Sequence, residues 1–513
     1  MRRRHRISKE ASSKPLRGCT YVYEISSSGK HQVCKTAFCN IHAISEERVR
    51  RFCKLLSEGK SPHDMRGKSI PGNTKSGLVI YAIKQHISSF PVKISHYSSK
   101  EYHYLSEKLD VKIMYSLFQE KYPEMSAANY RFYLKVFREH FSLSFGLPQV
   151  DTCATCEELD IKLKSPFLNQ KAKKVAEAEK CVHLRRAKKF SAKIKEISEI
   201  IKADKAGDLG AICIDFMQNL QLPCIPVQEV FYLRQLTISV FCIHNLKDGN
   251  ATFFVYHEGI ATKGPNEVCS FVLEFLNTSL KGVKELYIFS DRRSAQNKNH
   301  TFIRMLSALT SLKRFRHIEH YFPIRGHSFL PCDRDFSVLK RKIKKYDRVY
   351  TIKEYVEIIV TSSCKRSFTV VIADSISILD FKQWWPKYFK RNVLSQESYG
   401  KSVLRDQKTS FKPSQFMNFS YASDNAGLVV ARPFIDSLVK HHFRVLNCTL
   451  ADLVLPKNMV YPAGCIPINQ NKIDDLRKLQ NYLPHTEDCQ SFYNELFLWP
   501  TCVTEVTQNQ PDD

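Results

Sequence analysis

Three aspartates of this chain stand where carboxylates can share divalent metal ions. Asp215 ends an apolar strand, Asp291 ends a later strand of the same segment, and Asp333 opens the helix that closes it. Closely spaced carboxylates hold two Mg²⁺ or Mn²⁺ ions about 3.5–4 Å apart in enzymes that act on phosphodiester bonds, and Mg²⁺ prefers carboxylate and water oxygens. The three residues therefore predict a two-metal site for phosphodiester chemistry.

Each aspartate also has an ordinary interpretation. An aspartate after a strand is a common turn former, and Asp333 is well placed as a plain helix N-cap. Two acids compete for the third position: Glu319 lies mid-strand, too early for a pocket at the strand ends, whereas Asp335 lies two residues beyond Asp333 and stays an alternative. The joint placement of the three aspartates on one fold favours the shared site.

Cysteines and histidines upstream of these acids predict a zinc site. Cys153 and Cys156 form a CxxC pair, and Cys181 and His183 follow on a helix. Two ligands from the pair and two from a helix make a tetrahedral Zn²⁺ site. Residues two apart do not share a helix face, so one of Cys181 and His183 is expected to bind and the other to point away.

A second candidate zinc site lies near the N-terminus. Its ligands would be Cys19, Cys34, Cys39 and His42. In the functional interpretation this is a zinc module that recognises DNA. The alternative is a set of buried thiols, because cysteine is among the most buried residue types.

The composition points to a polyanionic partner. The 513 residues include 78 Lys and Arg against 51 Asp and Glu, a formal net charge of +27. Such a surplus makes nucleic acid, here DNA, the leading partner, with a generally basic protein as the alternative. The 17 cysteines spread along the chain fit a reducing compartment. No membrane span, secretion signal or small-molecule substrate is predicted.

Candidate DNA contacts lie in two places. A very basic helix is predicted over residues 169–203, where it could neutralise the phosphates of a duplex; a solvated face or a coiled-coil arm of a homodimer is the alternative. The other candidates surround the acids, and one of them, His327, could bind either a phosphate or a metal. The full set is Lys173, Lys174, Arg185, Arg186, Lys188, Lys189, Arg292, Arg293, Lys298 and His327.

Hydrophobic periodicity places the acids on a recognisable set of elements. From residue 209 the chain reads β-β-β-α-β-α-β-α, with Lys247-Asp-Gly-Asn250 as a hairpin turn between the second and third strands. Three strands of a meander followed by alternating helices and strands predict a mixed sheet covered by helices. The first and fourth strands can be neighbours there, which would bring Asp215 and Asp291 to one sheet end.

The predicted fold class is therefore mixed α/β in a multidomain chain. The helical region includes one helical stretch over residues 75–145, and Trp384 and Trp385 are predicted to pack in a core. The predicted parts are a basic flexible arm (1–17), a Cys/His-containing N-terminal module (18–75), a helical DNA-binding region with the CxxC pair and the basic helix (76–208), a catalytic core (209–346) and a C-terminal α+β region (347–513).

Motifs distributed along the chain together resemble those of a known family. They are Ile214-Asp215, Tyr232-Leu-Arg-Gln-Leu236, Phe289-Ser-Asp291, Gln296-Asn-Lys-Asn299 and Gly326-His-Ser-Phe-Leu-Pro-Cys-Asp-Arg-Asp-Phe336, preceded by Asp64-Met-Arg-Gly67, Ser89-Phe-Pro91, Ser95-His-Tyr97, Met114-Tyr115 and Asp151-Thr-Cys-Ala-Thr-Cys156. Over about residues 30–500 the chain resembles transposon-derived animal proteins whose RNase H-like domain is usually described only as a domain of unknown function.

This resemblance implies a DDE/DDD-type transposase ancestry. It implies an RNase H-like core. The cysteine usage fits the cytosol or the nucleus, and together with the resemblance we expect a nuclear protein with zinc-stabilised DNA-binding modules beside that core. The resemblance also implies metal-dependent nicking and joining of DNA strands, with Mg²⁺ or Mn²⁺ on Asp215, Asp291 and Asp333.

One departure from the family pattern bears on activity. Relatives typically carry Asp-Asn-Cys-Gly-Gly-Gln-Asn-Lys-Asn, whereas this chain reads Asp291-Arg-Arg-Ser-Ala-Gln-Asn-Lys-Asn299. Two cations beside a metal ligand can compete with Mg²⁺ for the carboxylate or clamp a DNA phosphate. Two alternatives to an active enzyme therefore stay open: a domesticated, catalytically inactive DNA-binding or chromatin protein, and an adaptor that binds an acidic protein.

Overall fold

The computed structural model describes residues 2–4, 20–26, 29–61, 76–94, 103–106, 108–125, 128–146, 153–399, 402–403 and 410–503. They fall into two compact units, residues 1–89 with 111–140, and residues 90–110 with 141–513. Among the described helices, none combines the length and the hydropathy that a membrane-spanning segment needs. Cys19 and most of the predicted basic arm lie outside the described residues.

The first unit combines a small antiparallel sheet with helices. Its elements are β1 (Arg2–Arg4), β2 (Thr20–Ser26), β3 (Lys30–Val33), α1 (Lys35–Ile41), α2 (Glu46–Ser57), α3 (Gly77–Ser88), α4 (Val111–Lys121) and α5 (Tyr130–His140). The strands pair in the order β1-β2-β3. The Ser45 side chain caps α2 by accepting a hydrogen bond from the backbone N–H of Arg48.

The single helical stretch predicted over residues 75–145 is wrong in part. It contains α3, α4 and α5, but three short strands of the second unit interrupt it: β4 (Lys93–Ile94), β5 (His103–Leu105) and β6 (Leu143–Phe145). Pro91 follows α3 within three residues. Because proline lacks the backbone N–H that an interior helical position donates, α3 cannot continue through it.

The second unit holds all the candidate catalytic residues. Its remaining elements, in chain order, are α6 (Ala154–Lys164), α7 (Gln170–Ala203), β7 (Leu209–Phe216), β8 (Leu220–Leu222), β9 (Leu236–Asn245), β10 (Ala251–His257), α8 (Pro265–Ser279), β11 (Glu285–Ser290), α9 (His300–Ser311), β12 (His317–Tyr321), α10 (Pro331–Ile343), α11 (Ile352–Val360), β13 (Phe368–Ile372), α12 (Phe381–Tyr388), β14 (Gln396–Tyr399), β15 (Ser402–Val403), β16 (Asn418–Ala422), β17 (Leu428–Arg432), β18 (Val439–Arg444), β19 (Ile468–Asn469), α13 (Gln470–Lys478), α14 (Glu487–Phe497) and β20 (Thr501–Cys502).

A mixed twelve-stranded sheet organises this unit. The strand order is β13-β10-β9-β7-β11-β12-β16-β17-β18-β14-β15, with β8 paired to β9. The strands β7, β9 and β10 form an antiparallel meander, whereas β7, β11 and β12 run parallel. The predicted mixed α/β class is confirmed, as is the pairing of the first and fourth core strands. The predicted hairpin turn also forms, with Gly249 at a φ of +75° that glycine adopts without strain.

Both faces of the sheet are covered by helices. Ile212 and Ile214 of β7 pack into a core with side chains of α8, α9 and α12, which include the buried Trp384 and Trp385. Ala211 and Cys213 point the other way, into a core with α7, α10 and α11. Because successive side chains of a strand alternate between faces, the next residue on that second face is Asp215.

Candidate catalytic cleft and metal cluster

The fold brings the three predicted aspartates to one end of the central strands. Asp215 lies near the end of β7, and Asp291 directly follows β11, whose Ser290 is in register with Ile214 of β7. Asp333 lies in the first turn of α10, and α10 is held against β7 where the thiol of Cys332 donates to the carbonyl oxygen of Cys213 at 3.2 Å. Neighbouring parallel strands and one helix therefore place the three carboxylates together.

The carboxylates influence one another electrostatically. Burial raises the pKa of Asp215 well above its ordinary range, and the negative charges of Asp291 and Asp333 raise it further. Burial also raises the pKa of Asp291, while hydrogen bonding from Asn297 and the charge of Arg293 oppose the rise. Crowded carboxylates of this kind disfavour ionisation of one another, and an added cation relieves that repulsion.

An open cleft of about 710 Å³ lies beside this group, and Asp291 is not among the residues that line it. Asp215 and Asp333 line it, and three cations stand around them: Lys263, Arg293 and Lys340. The full lining is Asp215, Phe216, Met217, Gln218, Asn219, Lys263, Arg293, Ala295, Gln296, Phe329, Asp333, Phe336, Ser337 and Lys340. Carboxylates inside a ring of cations suit a phosphate-bearing ligand that arrives with a divalent metal.

The alternative third acid, Asp335, points away from this cleft. Its side chain is fully buried, where one oxygen lies 2.6 Å from Nδ1 of His244 and the other lies 2.8 Å from a guanidinium nitrogen of Arg366. Glu319 also faces elsewhere, with one carboxylate oxygen accepting from the side-chain amide of Asn418 at 2.6 Å. Asp333 is therefore the acid of this helix that reaches Asp215.

The two arginines after Asp291 take different directions. The side chain of Arg292 points away from the acids and donates to the backbone oxygen of Ser414 at 3.2 Å. Arg293 stays beside Asp291, with 3.3 Å between its Nε and the Oδ2 of Asp291, and its side chain is 67% exposed. One cation, not two, thus stands next to the candidate metal ligand.

Two predicted DNA contacts lie elsewhere than expected. Lys298 is 3% exposed and donates from Nζ to the backbone oxygen of Ser414 at 3.2 Å. Burial, with the charge of Arg292, lowers the pKa of Lys298 to about 6, so this side chain is not placed to bind a DNA phosphate. His327 belongs to a group of metal-ligand side chains described below.

Two residues that line the cleft, Lys263 and Gln296, and one that contacts Asp291, Asn297, were not predicted as site residues. Lys263 donates to the backbone oxygen of Met217 at 3.0 Å, and burial lowers the pKa of Lys263 to about 8. Gln296 lines the cleft, and Asn297 donates from its amide to Oδ1 of Asp291 at 2.5 Å. The motif Gln296-Asn-Lys-Asn299 could have indicated the two amides, whereas nothing local to Lys263 signals its position.

A second group of side chains has the composition of a zinc site. Cys153, Cys156, His183 and His327 each offer one ligand atom, and these atoms all lie within 4.8 Å of one another. The distances between them include 3.3 Å from Cys153 Sγ to His183 Nε2, 3.5 Å from Cys156 Sγ to His327 Nε2, and 3.1 Å between the two Nε2 atoms. A tetrahedral zinc ion with ordinary bond lengths separates its ligand atoms by about 3.3–3.8 Å. The four residues could therefore hold a metal such as zinc.

The ligand set differs from the predicted one in its fourth member. Cys181 is exposed and lies outside the group, because it precedes His183 by two residues and faces away from it on α7. His327 takes the remaining position from the loop before α10. Among the described residues, the three aspartates do not meet the same distance criterion as a set.

The second predicted zinc site does not assemble among the described residues. Cys34 caps α1, where its Sγ accepts from the backbone N–H of Ala37. Cys39 is buried beside Val49 and Cys53 in a small apolar core. The ring of His42 packs on Phe38 with 4.5 Å between centroids. The alternative of buried thiols therefore holds for Cys39 but not for Cys34, which is exposed, and Cys19 lies outside the described residues.

The predicted basic helix exists as α7, but one of its faces is committed to the core. Phe190, Ile197 and Ile201 are buried against the sheet. Arg186 lies over the ring of Phe434 at 3.8 Å, and Lys189 lies 3.9 Å from Asp436. Lys174, Arg185 and Lys188 are exposed and Lys173 is half-buried. The helix is therefore a packed element that presents a basic outer side.

Comparison with known proteins adds a family of undefined activity. Residues 234–410 match the model of a domain of unknown function, DUF7869. This stretch contains Asp291, His327 and Asp333, while Asp215 and the CxxC pair precede it. A search of the curated proteins finds no match. The central third of the chain is thus similar to DUF7869. This agrees with the expectation that the chain resembles a domain described only as one of unknown function.

Proposed function

We propose that this protein acts on DNA through the cleft at Asp215, Asp291 and Asp333, as a transposase-like enzyme that nicks and transfers strands with Mg²⁺ or Mn²⁺. The observation that carries the proposal is the grouping of three acids at one end of the central strands. Asp215 of β7 and Asp333 of α10 line an open cleft, and Asp291, directly after β11, lies close enough for its charge to raise the pKa of Asp215. Asp333 also caps α10 by accepting from the backbone N–H of Leu330, but a local role of this kind does not by itself bring acids of three separate elements together.

The side chains present fit a divalent metal. All three acids are oxygen donors, the type that Mg²⁺ prefers, and their mutual repulsion favours a cation among them. Two further oxygens, Gln296 Oε1 and Asn297 Oδ1, are buried and accept no hydrogen bond from any described residue. Bound metal would supply an activated water or 3′-hydroxyl and stabilise the oxygen that leaves phosphorus.

The protein's own residues would bind and orient the substrate. Lys263, Arg293 and Lys340 present cations to a phosphodiester that enters the cleft. Asn297 holds Asp291 in place through its amide. The cation of Lys263 has a pKa near 8, so a phosphate beside it would favour the charged form.

A second candidate function has one observation in its favour. The ion pair between Arg293 and Asp291 puts a positive charge where a metal would compete for the same carboxylate. In that case the protein is a nuclear, DNA-binding or chromatin-associated descendant without catalysis. The third possibility, an adaptor for an acidic protein, predicts binding of that partner with an affinity that does not fall along the steep salt slope that phosphate contacts cause.

A nicking assay on supercoiled plasmid with Mg²⁺ or Mn²⁺ tests the proposal. We expect wild type to nick and Asp291→Ala to nick at least about 100-fold more slowly. Loss of a direct ligand should cost at least as much as loss of an outer partner of a metal site, which costs up to about 100-fold. Asp248→Asn is the matched control, because Asp248 lies in the exposed β9–β10 turn, where it accepts from the backbone N–H of Asn250. DNA binding without nicking by wild type would support the inactive descendant, and no DNA binding would overturn both.

A further inference from the structure

The Cys/His cluster and the candidate catalytic cleft share one loop. Three of the cluster's ligands, Cys153, Cys156 and His183, belong to the α6–α7 pair and the residue before it. The fourth, His327, lies in the loop of residues 322–330 that joins β12 to α10. Six residues after His327, the same chain segment delivers Asp333 to the cleft.

This loop packs directly on the start of α6. Gly326 has a φ of +79°, and a Cβ placed on it would lie 2.7 Å from Cα of Cys153. Such a distance is shorter than any ordinary contact, and the conformation is one that glycine adopts readily. The loop therefore packs closely against the backbone at Cys153, and the next residue after Gly326 is the ligand His327.

The far end of the loop is bonded to the third carboxylate. The backbone N–H of Leu330 donates to Oδ2 of Asp333 at 2.7 Å, which also caps α10. Phe329, between His327 and Leu330, lines the cleft itself. A displacement of His327 would thus move both a wall of the cleft and the partner of a carboxylate oxygen.

We propose that the metal held by Cys153, Cys156, His183 and His327 positions the carboxylate site: it fixes the loop of residues 322–330 and thereby the cleft wall at Phe329 and the carboxylate of Asp333. His327 and Gly326 are positioning residues in this scheme, since neither lines the cleft. The inference rests on the proposed function for its consequence, the binding of a divalent ion at the acids. The attachment of the loop to the Cys/His metal cluster can be measured independently.

The test compares full-length variants purified with zinc. His327→Ala removes one ligand, His327→Cys replaces it with another zinc ligand, and Gly326→Ala keeps all four ligands but pushes the loop from Cys153. Cys181→Ala is the matched control, because Cys181 lies on α7 beside His183 and outside the cluster. The readouts are zinc content, hydrogen exchange of the amides of residues 324–330, and Mn²⁺ affinity by calorimetry.

We expect about one zinc per wild-type chain. His327→Ala should lose zinc, exchange faster over residues 324–330 and bind Mn²⁺ about tenfold more weakly, the effect of a lost supporting partner. His327→Cys should restore all three properties, and Cys181→Ala should match wild type. Gly326→Ala should keep zinc yet weaken Mn²⁺ binding.

Two results would overturn the inference. One is zinc retention by His327→Ala at the wild-type level; the other is zinc loss with unchanged loop exchange and Mn²⁺ affinity. If His327→Ala does not fold, His327→Cys and Gly326→Ala decide between the same outcomes. Failure of the proposed function would give a different result. Mn²⁺ binding would be absent from wild type or unchanged by Asp291→Ala, while zinc would still protect the loop from exchange.

Discussion

Asp333 and Asp335 lie two residues apart on α10 and occupy opposite environments. Asp333 lines the cleft with Asp215, whereas Asp335 is fully buried and touches His244 at 2.6 Å and Arg366 at 2.8 Å. A helix turns by about 200° over two residues, so one carboxylate serves the candidate site and the other the core. Substitutions at these two positions should therefore affect different properties: metal binding at the candidate site for Asp333, and stability of the fold for Asp335.

The first prediction exploits that separation. Asp335→Asn should lower the free energy of unfolding by about 1–3 kcal/mol, because the fully buried side chain loses charge-assisted contacts to His244 and to Arg366, whose side chain is 29% exposed. Asp333→Asn should cost at most about 1 kcal/mol as a weakened helix cap yet abolish Mn²⁺ binding at the cleft. Denaturant unfolding and Mn²⁺ calorimetry on both variants check this, and equal destabilisation by the two would contradict the assignment.

The second prediction concerns the cation beside the candidate metal ligand. Arg293→Ala should tighten Mn²⁺ binding in the absence of DNA about two- to fivefold, the worth of an exposed ion pair. The arginine is largely exposed while Asp291 is not, so removing it frees a carboxylate without opening the core. Arg292→Ala is the control, since Arg292 points to Ser414. Weaker Mn²⁺ binding by Arg293→Ala would show that the arginine supports the site instead.

The third prediction tests the cationic rim of the cleft. Lys340→Ala should weaken DNA binding to a similar extent for all sequences and lower the slope of log affinity against log salt by about 1, as loss of one phosphate contact does. Lys353 on α11 is exposed, pairs with Asp488 and lies outside the cleft lining. If Lys353→Ala changes the slope as much as Lys340→Ala, the binding is diffuse and does not use the cleft.

The fourth prediction is a pH dependence of stability carried by His257. Its Nδ1 accepts the backbone N–H of Gly259 at 3.1 Å, which requires a neutral ring, and burial lowers the pKa of His257 from 6.5 to about 4. Between these values the unfolded chain binds a proton that the folded chain does not. The stabilisation from neutral His257 is therefore complete above pH 6.5 and declines as the pH falls toward 4.

Urea titrations at several pH values measure this effect. The free energy of unfolding of wild type should fall by up to about 1.4 kcal/mol more per pH unit than that of His257→Gln over the window from pH 6.5 to 4. Above pH 7 the two pH profiles should run parallel. Identical slopes below pH 6.5 would contradict the buried, neutral state of this histidine.

Much of the local structure could be read from the sequence. Short apolar runs predicted β7 and β11, and the Lys247-Asp-Gly-Asn250 turn predicted the hairpin. The order of the elements allowed β7 and β11 to be neighbours, and they pair. These features depend on neighbours along the chain, because backbone conformation and side-chain alternation are local properties. Asp215 and Asp291 follow from them directly, since parallel neighbours end at the same edge.

Tertiary structure alone decided which side chains meet. Asp333 rather than Asp335 reaches the cleft, because Asp335 faces the core and pairs there with His244 and Arg366, both distant in sequence. His327 rather than Cys181 completes the metal cluster because a loop 144 residues beyond His183 folds onto it. Lys298 is buried rather than exposed for the same reason. Periodicity tells which face a residue occupies on its own element, but the partner that covers that face is set by packing between elements far apart in the chain.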